Sequence, residues 1–338
     1  MDMHVIWFIL LGFLLAGYGM LDGFDLGVGI VYPFARTDDE RRIFMHSIGP
    51  VWDGNEVWLV TFGGALFAAF PNAYAAAFSG FYLPFMALLC ALIFRGVSLE
   101  FRNKHPHKLW KLFWDLAFSL SSIGIAFVFG VAVGDTILGL PVESHGDFIG
   151  TLNDVFKPYA LLIGLFSVAV CAMHGSIYLY LKTEGELQNR LHSLMWKTFG
   201  VFLIFYMIST VVTLITIPSS IANFQHFPWA WAIVILNILS IANIPRSIFM
   251  NQPGYAFLSS CATILGLTSL FGVALFPNLL RSTVQESWSL TIYNASSSET
   301  TLWIMFWIAL MGIPFVMTYT AIVYWVFRGK VKREEVTY

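Results

Sequence analysis

The sequence contains nine apolar stretches that are each long enough to cross a membrane as a helix. They lie at about 3–31, 49–70, 74–94, 112–134, 158–181, 195–217, 228–244, 255–276 and 301–327. An α-helix needs about 20 apolar residues to span a hydrocarbon core of about 30 Å. The stretches are continuously apolar rather than alternating, which excludes a membrane β-barrel. The pattern predicts an all-α, polytopic membrane protein with a single integral membrane domain over residues 1–338.

The composition excludes several other classes of protein. Hydrophobic residues make up 58% of the chain and charged residues only 11%, whereas globular proteins average about 45–50% and about 25%. A soluble enzyme and a disordered chain are therefore excluded. Because 18 basic and 20 acidic residues give a formal net charge of −2, no positive field is available to hold nucleic acid. The three cysteines are far apart and predict neither a metal site nor a disulfide framework.

The distribution of basic residues predicts how the chain is oriented. Of the 18 Lys and Arg residues, all except Lys157 and Arg281 fall in the connections after the odd-numbered spans or in the C-terminal tail. Lys and Arg remain on the cytoplasmic side of membrane proteins. The N-terminus is therefore expected outside and the C-terminus inside, which agrees with an odd number of spans.

Acidic side chains inside the predicted spans are the candidate functional residues. Asp22 and Asp25 lie three residues apart, late in the first span, and so share a helix face. Asp53 and Glu56 have the same spacing early in the second span. Because the first helix runs inward and the second returns, both pairs are expected at a similar depth, toward the cytoplasmic third. Asp115, at the start of the fourth span, is expected at the same level.

Two interpretations of these acids remain open. In the first they are structural: they cap helix ends, bind backbone groups or extend toward the inner surface. In the second they take up protons from the cytoplasm, because an unpaired carboxyl in a low dielectric holds its proton more tightly. No Lys or Arg is expected deep in a span, and Arg95, at the inner end of the third span, is the nearest candidate counter-ion. The shared depth favours proton uptake for Asp25, Asp53 and Glu56 as a set.

The sequence predicts no metal-binding or catalytic residue in this chain. His174 is the only histidine well inside a span, whereas a bis-histidine haem needs two imidazoles that face each other. We expect His174 to be a hydrogen-bonded core residue, with ligation of a metal or haem as the less favoured alternative. Glycines in the first two spans are expected to allow close helix packing; they are Gly17, Gly19, Gly23, Gly27 and Gly29 in the first and Gly63 and Gly64 in the second.

Several segments, taken in order, resemble subunit II of the cytochrome bd-type quinol oxidases. The match is dense over the first 115 residues and continues as a similar layout of spans to the end of the chain. The segments are DGFDLGVG at 22–29, ERR at 40–42, GPVWDGNEVWL at 49–59, GALFAAFP at 64–71, YAAAFSGFY at 74–82, FRGVSLEFR at 94–102, WD at 114–115, KTEGEL at 182–187, FP at 276–277 and SLTIYNAS at 289–296.

The resemblance implies a role within a larger enzyme. Subunit I, the expected partner, would carry haem b, haem d, the quinol site and the oxygen site, and the complex would oxidise quinol and reduce O2 to water. The family also implies two four-helix groups plus one extra helix. It implies that Asp53 belongs to a proton route from the cytoplasm to the oxygen site. Asp25, Glu56, Asp22 and, further along, Asp115 are then the neighbouring candidates.

Further expectations concern partners and location. The resemblance implies a multi-pass protein of the bacterial cytoplasmic membrane, surrounded by lipid, with small accessory subunits as further candidate partners. Some members bind a quinone in this subunit, and no residue here identifies a site for it. From the residues alone, a proton-coupled secondary transporter is the alternative. An inverted repeat or paired broken helices would favour that alternative, and the sequence displays neither.

Overall fold

The computed structural model describes residues 2–144 and 146–331, most of which are helical. The helices are α1 (Met3–Val31), α2 (Asp38–Ile48), α3 (Trp52–Ala69), α4 (Pro71–Gly80), α5 (Tyr82–Phe101), α6 (Lys108–Leu138), α7 (Leu152–Val155), α8 (Pro158–Lys182), α9 (Gly185–Thr216), α10 (Ala222–His226), α11 (Ala230–Phe249), α12 (Pro253–Leu275) and α13 (Glu299–Val326). Two short strands, β1 (Asn278–Leu280) and β2 (Leu290–Thr291), pair antiparallel in one loop. The prediction of an all-α polytopic membrane protein is confirmed.

Eight helices within the described residues are long and apolar enough to cross a membrane. The predicted second span corresponds to α3, which has 18 residues and is not among the eight. Its first turns contain Asp53, Asn55 and Glu56, and these polar residues lower the hydropathy of the whole helix. The nine predicted spans are therefore eight strongly apolar helices and one shorter helix with a polar beginning.

Two predicted boundaries are wrong, and one of them affects the candidate site. The third span was expected at 74–94, but the chain forms α4, breaks at Phe81 and then forms α5, which continues to Phe101. Arg95 therefore lies inside a helix and not at its end. The sixth span was expected to begin at 195, but α9 begins at Gly185. Its first turns are polar, and hydropathy detects only the apolar part of a helix.

Helices α1, α3, α5 and α6 are called the first group here, and α8, α9, α11 and α12 the second. In the first group α1 packs on α3 and α6, and α5 packs on α6; in the second α8 packs on α9 and α12, and α11 packs on α12. Helix α8 also packs extensively on α6 and α1, and α13 contacts α1 and α3, so the division into two four-helix groups plus one extra helix stays a prediction. The centre of the molecule lies along α1, where every residue from 22 to 29 is buried.

The basic loops meet at one end of the molecule. Lys111 and Arg102 both bind Asp38, and Arg190 pairs with Glu40, so the first three basic connections lie together. The C-terminal tail joins them, because the Val331 backbone N–H donates to the Lys182 carbonyl. At the other end Arg281 accompanies the hairpin, and the Tyr293 hydroxyl donates to Asp2 near the N-terminus. The two-sided separation of charge agrees with the expected topology. Lys332 and Arg333 of the predicted basic tail lie outside the described residues.

Glycine is required where α1 crosses α8. A Cβ built on Gly27 would lie 2.0 Å from the Cys171 carbonyl oxygen and 2.7 Å from the Gly175 Cα. Helix backbones can approach this closely only where side chains are absent. The predicted packing role is therefore confirmed for Gly27. It is also confirmed for Gly17, whose Cβ would overlap the Trp58 ring at 2.2 Å. It is wrong for Gly63 and Gly64, because a Cβ at either position would meet nothing within 4 Å.

We expect Gly27→Ala to destabilise the protein, because the new methyl group must push α1 and α8 apart. Overpacking of this kind costs about 1–3 kcal/mol, and occasionally more. Thermal unfolding in detergent, followed by circular dichroism, measures the effect. Gly12→Ala is the matched control on the same helix, because nothing lies within 4 Å of a Cβ at that position. Equal melting temperatures for the two variants would contradict the expectation.

Candidate functional site

A buried ion cluster joins three helices of the first group. Arg95 of α5 is fully buried, and its Nη2 lies 2.6 Å from Asp22 Oδ1 on α1. Its Nη1 lies 3.1 Å from Asp22 Oδ2 and 3.0 Å from Glu56 Oε1 on α3. The planar guanidinium fits this geometry because it donates two parallel hydrogen bonds to one carboxylate and still reaches a second.

The expectation that no Lys or Arg lies deep in a span is wrong, because Arg95 is fully buried inside α5. Arg95 is the counter-ion of both Asp22 and Glu56, because α5 extends about two turns beyond the predicted end of the third span. The choice of Arg95 as the nearest candidate counter-ion agrees with the structure. An Arg at this depth is tolerated because it faces the helix bundle and is paired.

Asp25 lies one turn from Asp22 and differs from it in its partners. It is fully buried, and its Oδ2 accepts a hydrogen bond of 2.7 Å from Asn55 Nδ2 on α3. Its Oδ1 has no hydrogen-bond partner within residues 2–144 and 146–331. Asn55 is held in turn by the Tyr324 hydroxyl of α13, which donates to Asn55 Oδ1 at 2.8 Å. Asp25 therefore presents one free oxygen inside the protein.

Asp53 shares a helix face with Glu56 but does not enter the cluster. It lies in the first turn of α3 and is exposed, whereas the side chain of Glu56 is 24% exposed. In the part of the chain that the structure describes, no group donates a hydrogen bond to its carboxylate. Part of its role is local, because an acid in the first turn stabilises the helix through the macrodipole.

Asp115 belongs to a different cluster, nearer to the basic end. Its carboxylate accepts hydrogen bonds from Arg102, from Arg41 at 2.7 Å and from the Tyr32 hydroxyl. Tyr32 follows Asp25 by seven residues, a rise of about 10 Å along a helix. The expectation that Asp115 lies at the level of the other acids is wrong. Three donors fix its carboxylate, because α2 and the α5–α6 connection fold over it.

Two acids of α2 complete the surface of this second cluster. Partial burial alone would raise the pKa of Asp38, but hydrogen bonds from Lys111 and Arg102 outweigh this effect and lower it. Burial is likewise outweighed at Glu40, where the Arg190 guanidinium and the Arg36 backbone N–H lower the pKa. Both carboxylates therefore remain charged at neutral pH and hold the basic loops together.

Comparison with known proteins identifies the family of the chain. The family model described as cytochrome bd terminal oxidase subunit II matches residues 3–327. Cytochrome bd-I ubiquinol oxidase subunit 2 of Escherichia coli (strain K12) is 34% identical, with 99% of this chain and 96% of that protein covered. Cytochrome bd ubiquinol oxidase subunit 2 of Bacillus subtilis (strain 168) is 36% identical, covering 99% and 98%. This chain belongs to the cytochrome bd oxidase subunit II family.

A solved structure supports the same fold. The bd oxidase from Geobacillus thermodenitrificans contains a chain that matches with a TM-score of 0.81, covering 97% of this chain and 99% of that one at 19% identity. The family assignment replaces the transporter alternative. The protein is thus a multi-pass membrane subunit of a bd-type oxidase.

In the described part of this bd oxidase subunit, the histidine inside a membrane span does not fit a haem ligand. His174 is fully buried, and both of its ring nitrogens are engaged: Nδ1 with the Ser260 hydroxyl at 2.7 Å and Nε2 with the Met20 carbonyl at 2.9 Å. Its ring stacks on Phe257 with centroids 5.0 Å apart. His174 is therefore the satisfied core histidine that the sequence favoured. The described residues contain no group of three or more His, Cys, Asp or Glu side chains arranged for a metal.

Sequence reasoning missed three polar residues with unusual surroundings. Asn55 and Tyr324 were not expected to touch Asp25, although Asn55 lies within one of the matched segments. Asp135, one residue beyond the predicted fourth span, is fully buried, and neither carboxylate oxygen has a hydrogen-bond partner in the described part of the chain. The one feature of the sequence that could have identified Asp135 is its position as an acid next to an apolar segment.

Proposed function

We propose that this subunit II of a bd-type quinol oxidase provides a one-sided proton route from the inner membrane surface toward its partner. In this route Asp25 and Glu56 bind and hold protons, and Asp53 transfers them to the partner subunit. The observation that carries the proposal is the excess of buried acid over buried base at one place. Three carboxyl groups cluster near the single guanidinium of Arg95: those of Asp22 and Glu56 bind it, and that of Asp25, one turn further along α1, is bound by Asn55 instead.

The charge balance of this cluster favours proton storage. If all three carboxyls were ionised, two negative charges would remain uncompensated in a buried place. Burying an unpaired charge is very unfavourable, and such groups take up protons instead. The bidentate pair with Arg95 gives Asp22 a positive partner of its own, so Asp25 and Glu56 are the groups that carry protons. A graded exposure supports this order, from the buried acids through partly exposed Glu56 to exposed Asp53, where the proton leaves for the partner.

The surface around Asp53 is suited to contact with another polypeptide. An acid that faces lipid costs about 3 kcal/mol, and a Cβ built on the neighbouring Gly54 would meet nothing within 4 Å. The exposed face of α9 has a different character and is mainly apolar, as expected for lipid; its residues include Val201, Ile204, Met207, Ile208, Val211, Leu214 and Ile215. We infer that subunit I covers the Asp53 face and receives the proton there.

The chemistry itself belongs to the partner in this proposal. Subunit I holds haem b and haem d, oxidises quinol and reduces O2 to water, and the complex lies in the cytoplasmic membrane of a bacterium. Protons consumed in that reaction come from inside, and those released by quinol leave outside. Each charge separated in this way is worth about 2.3 kcal/mol per 100 mV. By analogy with other members of the family, we also propose that small accessory subunits bind the complex and that this subunit binds a quinone.

We expect Asp53→Asn to slow oxygen consumption by the complex several-fold while leaving its haem absorption spectrum unchanged. The amide keeps the size of the side chain but cannot pass on a proton. Oxygen-electrode turnover at saturating quinol, normalised to haem, measures the effect. Glu286→Gln, an exposed acid near the opposite end, serves as the control and should have normal turnover. Normal turnover of Asp53→Asn in a fully assembled complex would contradict proton transfer through Asp53. Loss of haem would indicate a role in assembly instead.

A further inference from the structure

The last helix reaches the proton-storing carboxyl through a chain of two hydrogen bonds. The Tyr324 O–H donates to Asn55 Oδ1 at 2.8 Å, and Asn55 Nδ2 donates to Asp25 Oδ2 at 2.7 Å. The second N–H of the same amide donates to the Leu21 carbonyl at 3.3 Å. Asn55 is only 2% exposed and Asp25 is fully buried, so bulk water does not replace these contacts.

We propose that Asn55 and Tyr324 are positioning residues for Asp25, which rests on the proton route proposed above. Together they occupy Asp25 Oδ2 and leave Oδ1 as the oxygen that takes up and releases the proton. A carboxyl that rotates freely in a cavity would present either oxygen, and its proton would point in no fixed direction. A carboxyl held at one oxygen directs the proton from the other.

The orientation of the Asn55 amide determines whether Asp25 faces a hydrogen-bond donor or an acceptor. An amide has a donating end and an accepting end, and here the donating end faces two acceptors, Asp25 Oδ2 and the Leu21 carbonyl. A reversed amide would place a carbonyl oxygen against both of them. The Leu21 carbonyl can only accept and therefore selects the observed orientation, and the Tyr324 hydroxyl satisfies the amide oxygen by donating to it. Without it, a buried acceptor would be left unsatisfied, which is unfavourable.

Tyr324 is well placed for this role because α13 is otherwise loosely attached. Leu302 is the single fully buried residue of α13, and at that end its carbonyl accepts a hydrogen bond of 3.0 Å from the Trp7 indole. At the other end the Tyr324 ring lies edge-on to Phe24, with centroids 6.3 Å apart. The hydroxyl thus enters the contact between α1 and α3 from a helix that is mostly exposed. A purely structural clamp is the competing explanation.

The experiment compares Tyr324→Phe with Tyr319→Phe in the assembled complex. Tyr319 lies on the same helix and is 63% exposed, so its hydroxyl serves as the control. The first readout is the infrared carboxylic C=O band of Asp25, identified as the band that Asp25→Asn removes. The second is turnover with saturating quinol, together with KM for quinol.

We expect Tyr324→Phe to shift the Asp25 band and to lower kcat about fivefold, the effect of one lost hydrogen bond, with KM unchanged. Tyr319→Phe should alter neither readout. If Tyr324→Phe assembles poorly, Asn55→Gln, which keeps the amide but displaces it, should shift the same band. An unmoved band in the assembled fraction of both variants would overturn the proposal and leave Tyr324 as a clamp. The proton route fails separately, if Asp25→Asn itself retains full turnover.

Discussion

Asp25→Asn is expected to remove most of the oxygen consumption of the assembled complex. The asparagine oxygen can still accept the hydrogen bond that Asn55 donates at 2.7 Å, so the local structure should be kept. The amide cannot bind and release a proton, however, and a positioned proton-transfer group contributes about 10²-fold or more to a rate. We therefore expect a loss of about this size in turnover, measured with an oxygen electrode and normalised to the haem spectrum.

Asp135→Asn is the matched control for this prediction. Asp135 is also a fully buried acid, and its carboxylate has no hydrogen-bond partner among the described residues. It lies near the opposite end of the helices, close to the last turn of α6. We expect this variant to keep normal turnover. Full activity of Asp25→Asn in an assembled complex would contradict the proton route.

The second large effect is expected from Arg95→Met, which removes the counter-ion of the buried cluster. Met approximates the length of the side chain but leaves Asp22 and Glu56 without the guanidinium that lies 2.6 Å and 3.0 Å away. Breaking a buried ion pair by removing one partner costs about 3–5 kcal/mol. We expect a strongly reduced yield of assembled complex and a lower melting temperature for the fraction that does assemble. Arg36→Gln, at an exposed arginine, should change neither quantity.

A double variant separates loss of charge balance from loss of packing. If uncompensated charge is the cause, Arg95→Met combined with Asp22→Asn should recover much of the stability, because the orphaned carboxylate is then neutral. If the shape of the arginine is the cause, the double variant should be no more stable than Arg95→Met alone. Equal stability of the wild-type and Arg95→Met complexes would show that the cluster does not depend on its cation.

The acids of the site were predictable as residues but not as an arrangement. A charged side chain inside an apolar run is visible in any sequence, and the three-residue spacing of Asp53 and Glu56 predicts a shared helix face. The spacing cannot indicate which way that face points. In the structure Asp53 is exposed while Asp25 is fully buried, because the packing of α3 on α1 fixes the rotation of each helix.

Pairing depended on contacts between distant segments. Arg95 was placed at the inner end of a span because hydropathy located the third helix too early. Because α5 extends to Phe101, Arg95 lies inside the helix, and its side chain reaches both Asp22 and Glu56. The contact of Tyr324 with Asn55 could not be predicted for the same reason, because 269 residues separate the two in the sequence.

Features that depend only on a single helix and on the membrane or water around it can be derived from the sequence alone. These are the apolar helices, the end of the molecule that gathers the basic loops, and the residues whose charge is costly in a membrane. Tertiary structure decided which of those charges are paired, which are free and which are exposed. The physical reason is that hydropathy acts on each residue separately, whereas an ion pair requires two side chains from different helices to reach the same point.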